Sequence, residues 1–207
     1  MPQVSLDELT TKVSDGSHLA SFPTDTVPAL VTRPDQAALI FTAKQRSFDK
    51  PLILMAAAVI DLWDYVRGSA AEWHQWELVV NQYLPGALTL VLPASDRVPF
   101  IMNSHDPTTI GVRVPNHAIA QAILTQTGPL ATTSANFSGQ PPLQLMTEIE
   151  AQFPTALTLS PDEIQQIEGT QPPTVSGVPS TVIRWRDMGW EILRQGAIDL
   201  HSSSHKD

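Results

Sequence analysis

Residues 85–93 read Pro85-Gly86-Ala87-Leu88-Thr89-Leu90-Val91-Leu92-Pro93, and residues 109–114 read Thr109-Ile110-Gly111-Val112-Arg113-Val114. Both are β-rich runs, and the first opens on a Pro-Gly turn signal. Several such runs succeed one another with turns between them. Helical and β-rich segments interleave along the rest of the chain without strict alternation. This order predicts an α/β fold: a mixed, twisted β-sheet with flanking helices, rather than a purely parallel, doubly wound sheet.

Upstream of the two runs, residues 60–83 read as two helices broken near Gly68. Trp63, Trp73 and Trp76 lie there and are expected to pack rather than to stack on bases. Residues 51–56 read as a buried strand. Asp35 is expected to cap a helix through Ala37, Ala38, Ile40, Phe41 and Lys44. Residues 18–23 read as a short buried strand. Residues 5–13 read as a helix with Ser5 as N-cap before Glu8, ended by Gly16. Downstream, a helix starts at or beside Asn116 and carries Ile119, Ile123 and Leu124. A short strand follows at 130–133, and a helix at 147–153. The stretch 169–179, rich in Pro, Gly, Thr and Ser, reads as a mobile loop and a candidate lid. Residues 180–185 and 190–194 read as a closing hairpin around Asp187-Met188-Gly189. The expected organisation is one domain over residues 1–200 with a frayed tail at 201–207.

The chain of 207 residues is long enough to bury a sizeable core, and its 42% hydrophobic and 16% charged residues suit a globular protein. With 12 basic and 21 acidic residues, its net charge is -9. Such a chain repels phosphate overall and makes a poor nonspecific nucleic-acid coat, so any phosphate site has to be a local basic pocket. The absence of cysteine excludes disulfides, thiolate metal sites and cysteine nucleophiles. The first residues lack a signal-peptide pattern, and no apolar stretch approaches membrane-spanning length, so the expected location is the cytoplasm.

Neither common glycine-rich phosphate-loop signature occurs, nor H-E-x-x-H, nor a defensible hydrolase triad. His201 and His205 have helical ligand spacing but sit in a serine-rich tail. Four segments carry chemistry. Lys44-Gln45-Arg46-Ser47-Phe48-Asp49-Lys50 is the densest basic stretch. It reads either as a triphosphate site or as a solvated helix end. Thr132-Thr133-Ser134-Ala135-Asn136-Phe137-Ser138-Gly139 follows a strand and reads as an anion or nucleotide cradle, or as an Asx/Ser turn. Pro23-Thr24-Asp25-Thr26 reads as a polar site or a plain turn. Arg113, inside a β-run, wants a phosphate or an internal carboxylate.

In this order the segments resemble the YrdC family of threonylcarbamoyl-AMP synthases. The matching pieces are Pro23-Thr24-Asp25-Thr26-Val27; Lys44-Gln45-Arg46 with Lys50-Pro51-Leu52; Pro85-Gly86 with Leu88-Thr89-Leu90-Val91; and Val112-Arg113-Val114-Pro115 with His117. Thr133-Ser134-Ala135-Asn136 with Ser138-Gly139, Pro179-Ser180-Thr181-Val182 and Ile192-Leu193-Arg194-Gln195-Gly196 complete the set. The resemblance implies a single-domain form whose sheet encloses a deep electropositive cavity. It implies a nucleotidyltransferase that joins L-threonine, bicarbonate and ATP into threonylcarbamoyl-adenylate and pyrophosphate, for tRNA threonylcarbamoyladenosine modification. ATP would be held by Lys44, Arg46, Ser134, Asn136 and Arg194, with catalysis resting on Lys44, Arg46 and Thr26. Thr24, Thr26, Arg113 and Ser180 would serve threonine and bicarbonate, with His117, Thr181 and Lys50 as further candidates. Mg2+ would arrive on the ATP phosphates, without a protein metal cage. Partners would be tRNA or double-stranded RNA and downstream threonylcarbamoyl-transfer proteins, and no membrane. The alternatives are a paralogue that binds RNA or nucleotide without synthase activity, and an enzyme that acts on a different amine. Two positions depart from the family: Pro28-Ala29 replaces the usual aromatic-Gly pair, and Arg184 stands where an acidic residue is common. Both bear on the amino-acid pocket.

Overall fold

The structure, a computed structural model, describes residues 3–169 and 175–200. In chain order it contains β1 (Gln3–Val4), α1 (Leu6–Ser14), β2 (Ala20–Phe22), β3 (Ala29–Thr32), α2 (Ala38–Lys44), β4 (Ile53–Met55) and α3 (Ala70–Tyr83). There follow β5 (Leu88–Pro93), β6 (Thr109–Arg113), α4 (Ala118–Thr127), β7 (Leu130–Ser134), α5 (Met146–Gln152), β8 (Thr158–Leu159), α6 (Pro161–Glu168), β9 (Thr181–Arg186) and β10 (Gly189–Arg194). Short 3-10 turns occupy Pro34–Gln36, Val59–Tyr65 and Phe100–Asn103.

Local chemistry accounts for most of the boundaries. Ser5 caps α1 by accepting from the Glu8 amide at 3.2 Å, which satisfies one of the otherwise unpaired donors of the first turn. Ser69 and Glu72 form a reciprocal capping box on α3. One expected cap fails. Asp35 turns its carboxylate to Arg33, whose Nε donates to it at 2.7 Å, and α2 starts at Ala38 with Ala37 in the cap position and no side-chain cap. The short elements β1, β3, β8 and α6 had no sequence expectation. The α6 start carries the right signals, with Ser160 accepting from the Glu163 amide and Pro161 in the first turn. Its apolar stripe is only Ile164 and Ile167, both partly buried against the core, which is too short a periodic signal to read. In β3 all four residues are buried, which removes the alternation that marks a half-buried strand.

Eight strands form one sheet in the order β10-β9-β5-β6-β4-β7-β3-β2. The β4–β6 and β5–β9 pairs are parallel and the others antiparallel, so the sheet is mixed as predicted. The first face carries Leu30, Leu54, Leu90, Val112, Ala131 and Ile183, and packs with Ile40 and Phe41 of α2 and Trp76 and Val80 of α3. All five tryptophans meet on this side. Edge-to-face contacts run from Trp63 through Trp73, Trp76 and Trp185 to Trp190, with centroids 4.8–6.2 Å apart, and fasten α3 to the β9–β10 hairpin.

The second face is covered unevenly. At the β2–β3 end, Phe22, Ala29 and Val31 pack against Leu9 and Val13 of α1 and Ile119 and Ile123 of α4. Towards β9, among the described residues, no helix of that layer follows, and the inward residues of the central strands open onto a cavity.

Candidate active site

The cavity has a volume of about 670 Å³. Its floor is the alternate set of strand residues left over from the first face: Val182 and Arg184, Thr89 and Val91, Gly111 and Arg113, Ile53 and Met55, Thr132 and Ser134. Gly111 keeps the middle of the floor low, since a Cβ there would come 2.8 Å from Ile53 Cγ2. Pro28 and Ala29 form part of the wall. Four arginines, Arg46, Arg113, Arg184 and Arg194, line it against a single carboxylate, Asp106. A chain of net charge -9 thus gathers much of its positive charge in one hollow.

Arg113 is anchored on three sides. Its Nη2 donates to Asp25 at 2.6 Å, Nη1 to Thr26 Oγ1 at 2.8 Å and Nε to the Gly86 carbonyl at 3.1 Å. Its side chain is 5% exposed, so the internal salt bridge, one of the two readings of this residue, is the one the fold makes. Burial pushes the guanidinium down from its usual range and Asp25 opposes that; arginine stays charged regardless. Thr24 braces the same turn. Its hydroxyl donates to the Val27 carbonyl at 2.8 Å and lies 3.1 Å from Thr26 Oγ1. Thr26 lines the cavity, and Thr24 stands behind it.

The basic segment divides. Lys44 ends α2 and is 1% exposed. Its Nζ donates to the Ser134 carbonyl and lies 3.4 Å from Asn136 Oδ1. Burial pushes the ammonium down to about 7, and repulsion from Arg46 and Lys50 adds to the effect. Gln45 takes a left-handed conformation, φ 49°, which turns the chain so that Arg46 reaches the cavity wall. Arg46 donates to the Pro51 carbonyl at 2.9 Å, while its Nε is sealed and unpaired. The solvated-helix-end reading therefore fails for Lys44 and holds for Lys50, which is exposed and donates to Ser138 Oγ at 2.9 Å. Ser134 donates to Asn136 Oδ1 at 2.6 Å, and the Asn136 amide nitrogen donates to the carbonyls of Phe137 and Gln140. Ser134 and Asn136 both line the cavity, with Lys44 directly beneath them.

On the opposite side, Ser180 Oγ lies 2.8 Å from Thr89 Oγ1. Arg194 reaches over from β10 and donates to the Ser180 carbonyl at 2.8 Å through Nη2. Of the candidate lid, residues 170–174 lie outside the described residues. Its far end is tied down: the Ser176 and Gly177 amides donate to the carbonyls of Asp25 and Thr26, each at 3.1 Å. The expected tail at 201–207, with His201 and His205, also lies outside the described residues.

A profile of the Sua5/YciO/YrdC family, described as telomere recombination, matches residues 13–196. The chain belongs to this family. It is 36% identical over 142 residues to a threonylcarbamoyl-AMP synthase of Yersinia enterocolitica, which covers 66% of this chain and 73% of the relative. Among solved structures it resembles P. abyssi Sua5 complexed with L-threonine, at TM-score 0.82 and 28% identity. That match covers 95% of this chain and 55% of the other, so the chain spans little more than half of that longer protein. E. coli YciO shares the fold at TM-score 0.77 and 24% identity over 94% of this chain and 90% of the other.

Within the Sua5/YciO/YrdC frame, the cavity brings together Thr26, Arg46, Arg113, Ser134, Asn136, Ser180 and Arg194. Thr181 falls on the other side of β9, because strand residues alternate. Its hydroxyl donates to the Ile198 carbonyl at 2.6 Å and accepts from the Gly196 and Ile198 amides, fastening the C-terminal segment. His117 precedes α4, away from the cavity, with Nε2 3.6 Å from Glu168 Oε1. Burial pushes His117 down and Glu168 up. Desolvation thus works against the charged form of each partner. Asp25 and Thr89 lie inside the matching motifs without an expected role of their own, and Asp106 lies outside them. Asp25 was signalled by its place between two named threonines, and Thr89 by strand alternation. Asp106 stands on a loop with no pattern to mark it.

Proposed function

We propose that this chain is a threonylcarbamoyl-AMP synthase that acts in the cytoplasm for tRNA modification. The observation that carries the reading is the convergence of Arg46, Ser134, Thr26, Arg113, Ser180 and Arg194 on one cavity. The named synthases among its relatives and the threonine-bound Sua5 fold support it. The threonine amine and bicarbonate condense to a carbamate with loss of water. A carbamate oxygen then forms a bond to the α-phosphorus of ATP as the bond to the bridging oxygen breaks, and pyrophosphate departs with that electron pair. No protein nucleophile is needed. The chain's own contribution is position and charge. Arg46 and the Ser134–Asn136 loop hold the nucleotide, with Lys44 stiffening that loop from beneath. Arg113, held by Asp25, orients Thr26 toward the amino-acid side beside Ser180. Magnesium would arrive on the ATP phosphates as part of the substrate. Among the described residues no group of three His, Asp or Glu side chains is disposed to hold an ion, and Asp106 is the one carboxylate on the wall.

The test is to incubate the protein with ATP, labelled bicarbonate and each amino acid in turn, and to identify the adenylate by mass. Pyrophosphate release that requires both bicarbonate and threonine is expected. Release with another amine instead would reassign the acceptor. Nucleotide or RNA binding without any adenylate would make the chain a binding paralogue.

A further inference from the structure

Three of the four cavity arginines spend donors on the protein. Arg113 holds Asp25, Arg194 holds the Ser180 carbonyl and Arg46 holds the Pro51 carbonyl. Arg184 makes no hydrogen bond or ion pair among the described residues, and its Nε is sealed from solvent without a partner. Asp106 is held low chiefly by the Thr108 hydroxyl and least by Arg184. It accepts from Thr108 at 2.5 Å and Thr109 at 3.3 Å and, among the described residues, forms no ion pair with Arg184. A partly buried guanidinium with a sealed, unpaired Nε is an unfavourable state, and an oxyanion relieves it.

The register places this group. Arg184 stands opposite Val91, Val91 opposite Gly111, Gly111 opposite Ile53 and Ile53 opposite Thr132. Arg184 is therefore four strands away from β7 and its Ser134–Asn136 loop, about 19 Å at the usual strand spacing. Among the described residues Arg46, Arg184 and Arg194 form no ion pair with a carboxylate, so the unbalanced charge is spread across the floor rather than gathered at one point. A single carboxylate would answer one of the three. A ligand that carries several negative charges along its length answers them together.

We propose that Arg184 binds the terminal phosphates of the nucleotide, and hence the departing pyrophosphate, from the β9 wall. This rests on the synthase reading above. The side chain would attract the leaving group as charge builds on it.

Calorimetric titrations of the parent, Arg184→Gln and Arg184→Lys with inorganic pyrophosphate, ATP and AMP test it. Arg184→Met, which keeps the stem packing, serves as a second neutral variant should the glutamine fail to fold. Pyrophosphate and ATP are expected to bind at least tenfold more weakly to the neutral variants, with AMP within twofold and much of the pyrophosphate affinity kept by lysine. Unchanged pyrophosphate binding, or an equal loss of AMP and ATP, overturns the proposal. So does an effect confined to the KM for the amino acid, which would mark a carboxylate site, or to tRNA binding. A parent that binds pyrophosphate through Arg184 yet forms no adenylate would overturn the synthase reading and leave the phosphate site standing.

Discussion

Replacing Lys44 by Met tests whether this buried lysine is held against its own charge. Lys44 falls from 10.5 to about 7 because burial disfavours the ammonium and Arg46 and Lys50 repel it. At about 1.4 kcal/mol per pH unit, that fall corresponds to a folding cost of about 5 kcal/mol when the group is charged. The sign follows from proton binding. Unfolded Lys44 keeps its proton up to its ordinary value, whereas folded Lys44 releases it near 7. The stability it permits is complete above the unfolded value, is lost as pH falls, and is gone below about 7. Between pH 6 and pH 9 the parent should gain about 3 kcal/mol from this group alone. Lys44→Met removes the charge but leaves the Ser134 carbonyl without its donor, at a cost of about 1–3 kcal/mol. The variant should therefore be about 2–4 kcal/mol more stable than the parent at pH 6 and about equal to it at pH 9. Urea unfolding followed by tryptophan fluorescence at pH 6, 7, 8 and 9 measures the difference. A gap that stays constant across that range would refute the reasoning, because a lysine titrating at its ordinary value contributes no pH dependence there.

Asp25→Asn leaves Arg113 with no charged partner at a site where its side chain is 5% exposed. A loss of about 3–5 kcal/mol by urea unfolding is expected, with the Asp25→Asn/Arg113→Met double variant recovering at least half. A loss under about 1 kcal/mol would mean the guanidinium finds water instead. Gly111→Ala drives a methyl to 2.8 Å from Ile53 Cγ2 and should cost about 1–3 kcal/mol. Ile53→Ala should relieve it in a double-mutant cycle, and simple additivity of the two changes would argue against that contact. Hydrogen exchange at the Ser176 and Gly177 amides, bonded to the carbonyls of Asp25 and Thr26, should slow when threonine and a non-hydrolysable ATP analogue bind together. Equal rates with and without ligands would leave this segment a connector.

Much of the architecture was legible in residues 85–134. Alternation in 88–93 and 109–114 separates Leu90 and Val112 from Thr89, Gly111 and Arg113, so it assigns sides of the sheet before any packing is known. The capping signal at Ser5 works locally and needed no tertiary context. Family motifs pointed to Arg46, Ser134 and Ser180, which the fold brings to one hollow. Other features depend on contacts that no local pattern encodes. Periodicity says which residues share a face but not what covers that face. The cavity exists because the cluster under α1 and α4 reaches from β2 only as far as Met55 of β4. Arg113 needed an oxyanion by its chemistry alone, but only the fold chose Asp25, 88 positions away, over a ligand. Lys44 and Arg46 look alike in sequence. The left-handed turn at Gln45 and the loop above it put one beneath the wall and the other on it. A side chain's type and spacing follow from the chain alone; its dielectric surroundings, and so its charge and its availability to a substrate, are set by residues that arrive from elsewhere in the fold.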